Sequence, residues 1–237
     1  MTTPFAKRFQ KPIRFLRNRL SPEGYAGLHL TIGVFVVLLC GLCFGAIAED
    51  VSAGDPIVQL DQQVAVWFHQ QATPTVTQAA RVISFVGSVG WVSAASVVVA
   101  LFFVRRRDWH RVFLIALTMV GGSTLNLLLK HFFHRERPVL ENPLVTLSSY
   151  GFPSGHTMGA TLFYGLLALL TWNGMKSRAG RWAAVSAACM LIFLIGLSRI
   201  YLGAHFLSDV LGALAAGLLW LTFCWTALET LRRRRHR

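Results

Sequence analysis

Charge is scarce in this chain. Only 14% of its 237 residues are Asp, Glu, Lys or Arg, whereas 54% are hydrophobic. Soluble domains carry about 25% charged residues, so too little polar surface exists here to cover a water-soluble globule. Acidic residues are scarcer still, 10 against 23 Lys and Arg, for a net charge of +13. No ten-residue segments of alternating polarity occur, which excludes a membrane barrel. No cluster of Asp, Glu and His has metal-ligand spacing, so neither a metal nor a cofactor is expected. The four cysteines, Cys40, Cys43, Cys189 and Cys224, all lie in apolar stretches. The C-x-x-C of Cys40 and Cys43 has no second pair and no neighbouring His, and reads as small apolar filler rather than a redox pair. Internal repeats and low-complexity linkers are also missing, which predicts one domain.

The apolar residues come in six blocks: Ala26–Ala48, Val82–Val104, Val112–Leu129, Ser154–Trp172, Trp182–Leu197 and Phe206–Leu228. A bilayer core needs about 17–25 such residues per helix, and helices satisfy every backbone group within lipid. The expected fold is an all-α polytopic membrane protein, a bundle of about six transmembrane helices. The fourth and fifth blocks are short, so their borders are the loosest. The first block ends in Ala46-Ile47-Ala48, which resembles a signal-peptide cleavage site, but its apolar core is longer than a usual signal sequence.

Eighteen of the 23 basic residues fall on alternate connections: six before Ala26, four in Arg105–Arg111, three in Lys176–Arg181 and five after Leu231. Only Arg81, Lys130, Arg135, Arg137 and Arg199 lie on the other side, together with seven of the ten acids. By the positive-inside rule both termini are cytoplasmic, and the first, third and fifth connections face the periplasm or cell exterior. The expected layout is a basic cytoplasmic segment at 1–25, a single membrane domain at 26–231 and a basic tail at 232–237. The Arg232–Arg235 run anchors a helix end and attracts anionic headgroups, and no nucleic-acid role is expected. Val58–Phe68 has apolar residues near helical spacing and reads as an amphipathic helix on the outer surface, with Phe5–Arg17 its cytoplasmic counterpart.

Ionisable groups at membrane depth are costly and usually functional. On the outer side Lys130 ends the third block and Arg137-Pro138 follows. Ser154, Gly155 and His156 open the fourth; Arg199 closes the fifth; His205 and Asp209 open the last. His205 and Asp209 are four apart, on one face of a helix start, where the carboxylate can orient the imidazole as a base or nucleophile. Ser154-Gly155 at a helix N-terminus presents free N–H groups to an anion. Lys130, Arg137 and Arg199 add three cations, a set suited to a phosphoryl group in transfer. The Ser154–His156 stretch thus reads as half of a phosphate site rather than as a serine nucleophile beside its base.

These residues resemble the type 2 phosphatidic acid phosphatase and vanadium haloperoxidase superfamily. Lys130-x6-Arg137-Pro138, Pro153-Ser154-Gly155-His156 and Ser198-Arg199-x5-His205-x3-Asp209 match its three signature motifs in order, and the likeness covers about 61–220. The resemblance implies catalysis by His205 as nucleophile, Asp209 as its orienter and His156 as acid for the leaving oxygen. Lys130, Arg137, Arg199, Ser154 and Gly155 would bind phosphate. It implies metal-independent hydrolysis, through a phosphohistidine, of a lipid phosphate or pyrophosphate of the undecaprenyl pyrophosphate, phosphatidate, phosphatidylglycerol phosphate or lipid A phosphate type. Among these, undecaprenyl pyrophosphate is weakly favoured. Partners are then the lipid substrate and membrane lipids, with no obligate protein partner. A lipid phosphotransferase using the same phosphohistidine and a vanadate-dependent haloperoxidase stay open as alternatives, as does a non-catalytic lipid-binding protein or transporter.

The remaining features get plainer readings. His131, His134 and Arg135 flank the first motif without matching it, and read as outer-surface or headgroup contacts. His29 and Trp67 get no role. Gly212, Ala216 and Gly217 are expected to let helices pack closely. The Pro138–Gly151 loop reads as a lid.

Overall fold

The computed structural model describes residues 27–54, 56–141, 143–145 and 147–235. The 1–25 segment with its Phe5–Arg17 stretch, and the end of the basic tail, lie outside the described residues. Among the described residues all regular structure is helical: α1 (Leu28–Ala53), α2 (Pro56–Gln70), α3 (Pro74–Val86), α4 (Val89–Arg105), α5 (Trp109–Phe133), α6 (Gly155–Gly174), α7 (Arg178–Tyr201) and α8 (Leu207–Arg235).

Polar side chains start most of these helices at the expected punctuation. Thr73, Ser88, Asp108, Ser154 and Ser177 each accept a backbone N–H from the first turn that follows, which satisfies donors the helix leaves free. α5 ends at His134, which adopts a left-handed φ of 47° and turns the chain into the long loop before α6.

Four helices, α1, α5, α7 and α8, are long and apolar enough to cross a bilayer, and a fifth span results if the bent pair α3 and α4 counts as one. The chain is therefore a polytopic helical membrane protein, with two departures from the six-block expectation. The second block is broken at Gly87-Ser88, where the axis bends by 40°. A Cβ on Gly87 would lie 2.5 Å from Ile195 Cγ2, so the break lets α3 and α7 meet. The fourth block, α6, is diluted by Gly, Thr and His; it packs within the bundle against α5, α7 and α8. At the other end α8 continues as helix through the basic run to Arg235.

α8 is the axis of the bundle, touching α1, α2, α5, α6 and α7. Small residues permit the approach. A Cβ on Gly33 would lie 2.2 Å from Thr226 Oγ1, one on Gly212 2.6 Å from the Phe152 ring, and one on Gly217 3.0 Å from Thr161. Leu114, Met158, Leu162, Ala213, Ala216 and Leu221 fill the core between α5, α6 and α8. Outward-facing Leu42, Val98 and Phe132 are exposed, as lipid-facing side chains are. At the C-terminal end of α7, Tyr201 ties α7 to α3: its hydroxyl accepts the Thr73 N–H at 3.1 Å and shares a hydrogen bond with Thr77 Oγ1 at 3.2 Å. That contact sets the depth of Arg199, two residues earlier on α7.

Candidate active site

His205 and Asp209 occupy the junction between α7 and α8. The turn before His205 needs a left-handed residue, supplied by Gly203 at φ 65°. A side chain there would also strike Leu140, whose Cδ1 would be 2.6 Å from the new Cβ. His205 and Asp209 are both fully buried. The His205 Nδ1–H donates to Asp209 Oδ2 at 3.3 Å, and the Phe206 N–H donates to the same oxygen at 2.9 Å. This bond assigns the tautomer and leaves Nε2 unprotonated, as an acceptor. Burial pushes the His205 imidazole down to about 4, against the Asp209 hydrogen bond, which pulls upwards. The ring is thus neutral at physiological pH.

Three cations converge there. Arg137 Nη1 donates to the Ala204 carbonyl and, at 3.2 Å, to His205 Nε2. Its other nitrogens donate to Ser149 O at 2.6 Å, Ser149 Oγ at 3.0 Å and Tyr150 O at 3.2 Å. Burial lowers the Arg137 guanidinium from its ordinary value, with Asp209 opposing. Lys130 Nζ donates to the Tyr150 carbonyl that Arg137 also meets. Arg199 is 3% exposed and donates from Nη1 to Ser84 Oγ at 2.5 Å. Its Nε and Nη2 are buried with no hydrogen-bond partner among the described residues. Buried donors without acceptors are costly, so these two mark a place built for an anion.

The start of α6 closes the cluster. The Ser154 N–H donates to the Asp209 carbonyl at 3.1 Å, which joins the second and third motifs directly. Ser154 Oγ accepts from Thr157 N–H at 3.4 Å and from Thr157 Oγ1 at 3.1 Å, and so caps the helix; its own proton stays available as a donor. A Cβ on Gly155 would fall 3.3 Å from Asn126 Oδ1 and 3.9 Å from Lys130 Cε, so the glycine keeps that space open. His156 is half-buried, makes no hydrogen bond among the described residues, and lies within the electrostatic reach of Arg199, His205, Arg137 and Lys130. All eight site residues named from the sequence therefore gather at one end of the bundle.

Sequence reasoning missed a second layer. Arg135 is not a headgroup contact. Its Nη1 donates to Asp209 Oδ1 and to Ser208 Oγ, each at 2.6 Å, and its Nη2 donates to Asp61 Oδ2 at 2.7 Å. Asp61, on α2, is fully buried and also accepts the Ser208 N–H at 2.9 Å and the Ser208 hydroxyl. α2 is thus more than a surface amphipath: Asp61 and Ala65 face inward while Leu60, Val66 and Trp67 face out. The usable signal was Asp61 in phase with Ala65, one turn apart on one face. Ser84 and Asn126 were missed as well; Asn126 Nδ2 donates to the Pro153 carbonyl at 3.4 Å.

Two cavities adjoin the cluster. One of about 550 Å³, mostly apolar, lies among α4, α5 and α6 and reaches Asn126 and Gly155. Another, of about 480 Å³, lies between the Arg135–Tyr150 loop and Gly203-Ala204. The loop is tied down by Arg137 at Ser149 and Tyr150, and by Arg81 Nη2, which donates to the Leu144 carbonyl at 3.2 Å. Among the described residues no three His, Cys, Asp or Glu side chains converge as a metal site.

Comparison with known proteins agrees with this geometry. The model of the PAP2 superfamily matches residues 109–233, about half the chain and all three motifs. Phosphatidylglycerophosphatase B of Bacillus subtilis is 38% identical over 119 residues, 49% of this chain and 57% of that protein. Lipid A 4'-phosphatase of Porphyromonas gingivalis is 31% identical over 122 residues, 44% of this chain and 48% of that protein. The chain thus spans about half the length of these curated relatives. A solved transmembrane PAP2-type phosphatidylglycerolphosphate phosphatase from Bacillus subtilis superposes with a TM-score of 0.74 at 27% identity, covering 81% of this chain and 94% of that one.

Proposed function

The chain belongs to the PAP2 superfamily, and on that premise we propose that it hydrolyses a lipid phosphate or pyrophosphate at the outer face of a cytoplasmic membrane. The observation that carries the reading is the pairing of a neutral, oriented His205 with the two unmet donors of Arg199. His205 Nε2 attacks phosphorus and the phosphorus–oxygen bond to the lipid breaks. His156 gives a proton to the departing oxygen, then takes one from the water that attacks the phosphohistidine. Asp209 keeps the His205 Nδ1–H in place and stabilises the ring as it becomes cationic. Arg199, Arg137 and Lys130, with the Gly155 N–H and the Ser154 hydroxyl, neutralise the oxygens in flight.

Arg137 and Lys130 must exchange backbone carbonyls for phosphate oxygens, and the Tyr150 carbonyl is the shared ligand they give up. The Pro138–Gly151 loop is therefore a lid whose opening and the freeing of two cations are one event. A lipid fits better than a soluble phosphate ester because the apolar cavity among α4, α5 and α6 ends at Gly155 and Asn126, beside the cradle. The names of the relatives point to phosphatidylglycerophosphate or lipid A phosphate, and undecaprenyl pyrophosphate and phosphatidate belong in the same panel. The outward orientation is supported by the basic residues massed on the opposite face.

The test is phosphate release by the purified protein in detergent from that panel, with no acceptor lipid added and His205→Ala as the blank. We expect release from at least one lipid, resistance to EDTA, inhibition by vanadate and an acid-labile phosphoenzyme missing from the variant. Turnover retained in His205→Ala would remove the nucleophile, and transfer without free phosphate would make the protein a phosphotransferase.

A further inference from the structure

Most of the buried charge at the outer end is accounted for by the phosphate site, but Asp61 and Arg135 are not. Asp61 lies outside the signature motifs, Arg135 fills an unspecified position of the first, and neither reaches the cradle. Both are nonetheless locked into a chain of alternating charge that ends on the attacking imidazole. Asp61 Oδ2 meets Arg135 Nη2 at 2.7 Å, Arg135 Nη1 meets Asp209 Oδ1 at 2.6 Å, and Asp209 Oδ2 meets His205 Nδ1 at 3.3 Å. Both carboxylates are fully buried and the Arg135 side chain is 11% exposed. The guanidinium stacks over the Phe206 ring at 4.7 Å.

We propose that Asp61 and Arg135 are positioning residues that lock the Asp209 carboxylate and set, by their opposite charges, the basicity of His205. The inference rests on His205 being the nucleophile. Asp209 cannot rotate, because Arg135 holds Oδ1 while Phe206 N–H and His205 hold Oδ2. A purely structural tie for the start of α8 would need only Asp61 on the Ser208 N–H. Instead a cation is inserted between two carboxylates, one of which faces the imidazole. Arg135 disfavours the imidazolium that forms on attack, and Asp61 offsets Arg135. The pair together therefore leaves Asp209 anionic and fixed without making its field excessive in either direction.

The other charged or titratable groups facing His205 are Arg137, Arg199 and His156, and Lys130 also acts on Asp209. None of these is altered in the variants below, so charge changes in the chain are read against a constant surrounding. Removing one charge from a buried pair shifts a neighbouring titration in a direction fixed by its sign.

The experiment is the pH dependence of kcat/KM on one lipid phosphate, measured for full-length wild type, Asp61→Asn, Arg135→Gln and the double variant. The substrate's own titration is common to all four and cancels. Asp61→Asn is expected to move the acid limb down by about half a pH unit or more, since it unmasks Arg135. Arg135→Gln is expected to move it up by a similar amount and to lower kcat about 10–100-fold with KM changed less than about threefold. The double variant should return the limb to within about 0.2 units of wild type while kcat stays low.

Limbs that move in the same direction, or do not move in folded variants, overturn the proposal. If Arg135→Gln does not fold, Asp61→Asn alone decides it: a downward shift supports the assignment, an upward or absent one rejects it. Arg135→Lys keeps the charge without the fork, and should hold the limb near wild type while kcat falls. His205→Ala in the same series separates the premises, because turnover there removes the nucleophile whatever the limbs do.

Discussion

Arg135 and Arg199 are two guanidinium groups at the same end of the same bundle, and the protein treats them in opposite ways. Arg135 is surrounded by acceptors, two carboxylates and a hydroxyl. Arg199 is buried more deeply with one hydroxyl and two donors unmet. A satisfied buried cation belongs to the architecture; an unsatisfied one is waiting for an anion. On the proposed reading the site is divided into a closed half, which fixes Asp209 and His205, and an open half whose unmet donors are kept for phosphate. The open half is held in shape by the closed one through the Ser154 N–H on the Asp209 carbonyl.

The division is broken most forcefully at Arg199. Replacing it with Met removes the open half's central donors, and kcat/KM for lipid phosphate should fall about 10³-fold or more. The same change discards a buried, half-satisfied charge, so the unfolding temperature in detergent should stay level or rise. Thermal unfolding and phosphate release measured on one preparation check both signs. A large drop in stability would show that Arg199 belongs with Arg135 after all.

Arg135→Met should behave in reverse. It strands Asp61 and Asp209 as buried carboxylates with no cation between them, a loss of about 3–5 kcal/mol by comparison with other broken buried pairs. Denaturation at neutral pH should show it. If Arg135→Met unfolds like wild type while losing activity, the closed half is not closed.

Much of this was legible in the sequence, and the reasons are physical. The charge asymmetry, the apolar blocks and the motif residues name the membrane class and all eight residues of the cluster. Each is a local signal or a repeated spacing. Asp61 was hidden because its partner lies 74 positions away on another element. A single acid in an amphipathic helix looks solvated until the fold supplies a cation. Arg135 was misread because the chain reverses at His134, in a left-handed conformation no spacing rule anticipates for a non-glycine residue. The break at Gly87-Ser88 escaped because hydropathy is blind to it: both sides are apolar, and only the close approach of Ile195 requires the interruption.

The pH response sharpens the comparison at the closed half. His205 is neutral in the folded protein, with a value of about 4, and titrates near its ordinary value of about 6.5 once unfolded. Below about 6.5 the unfolded chain binds the proton first, so the stability contributed by neutral His205 is complete above that pH and is lost as pH falls towards 4. The acid limb of kcat/KM should accordingly lie well under 6.5. Stability and kcat/KM followed from pH 7 to 4 check it, and His205→Ala should lose the corresponding part of the stability slope. A limb at the ordinary imidazole value would mean that His205 is hydrated in the working enzyme.

Two glycines give the finest comparison, because they sit four positions apart on either side of Pro153. A Cβ on Gly151 would lie 3.1 Å from the Glu136 carbonyl, 3.3 Å from Asp209 Oδ2 and 3.4 Å from the Arg135 carbonyl. Those neighbours are backbone and a carboxylate already pinned on both oxygens, so nothing there yields cheaply. A Cβ on Gly155 would meet Asn126 Oδ1 at 3.3 Å and Lys130 Cε at 3.9 Å, both on side chains that can give by a few tenths of an ångström. Gly151→Ala should therefore cost about 1–3 kcal/mol of stability, as overpacking does. Gly155→Ala should leave the unfolding temperature within about 2 °C of wild type. Its effect should fall on the anion instead: a methyl group at the N-terminus of α6 crowds the approach to the Gly155 N–H and weakens vanadate binding about tenfold. Equal losses of stability in the two variants would erase the distinction between the halves, whereas vanadate affinity lost in Gly155→Ala alone would locate the phosphate against α6.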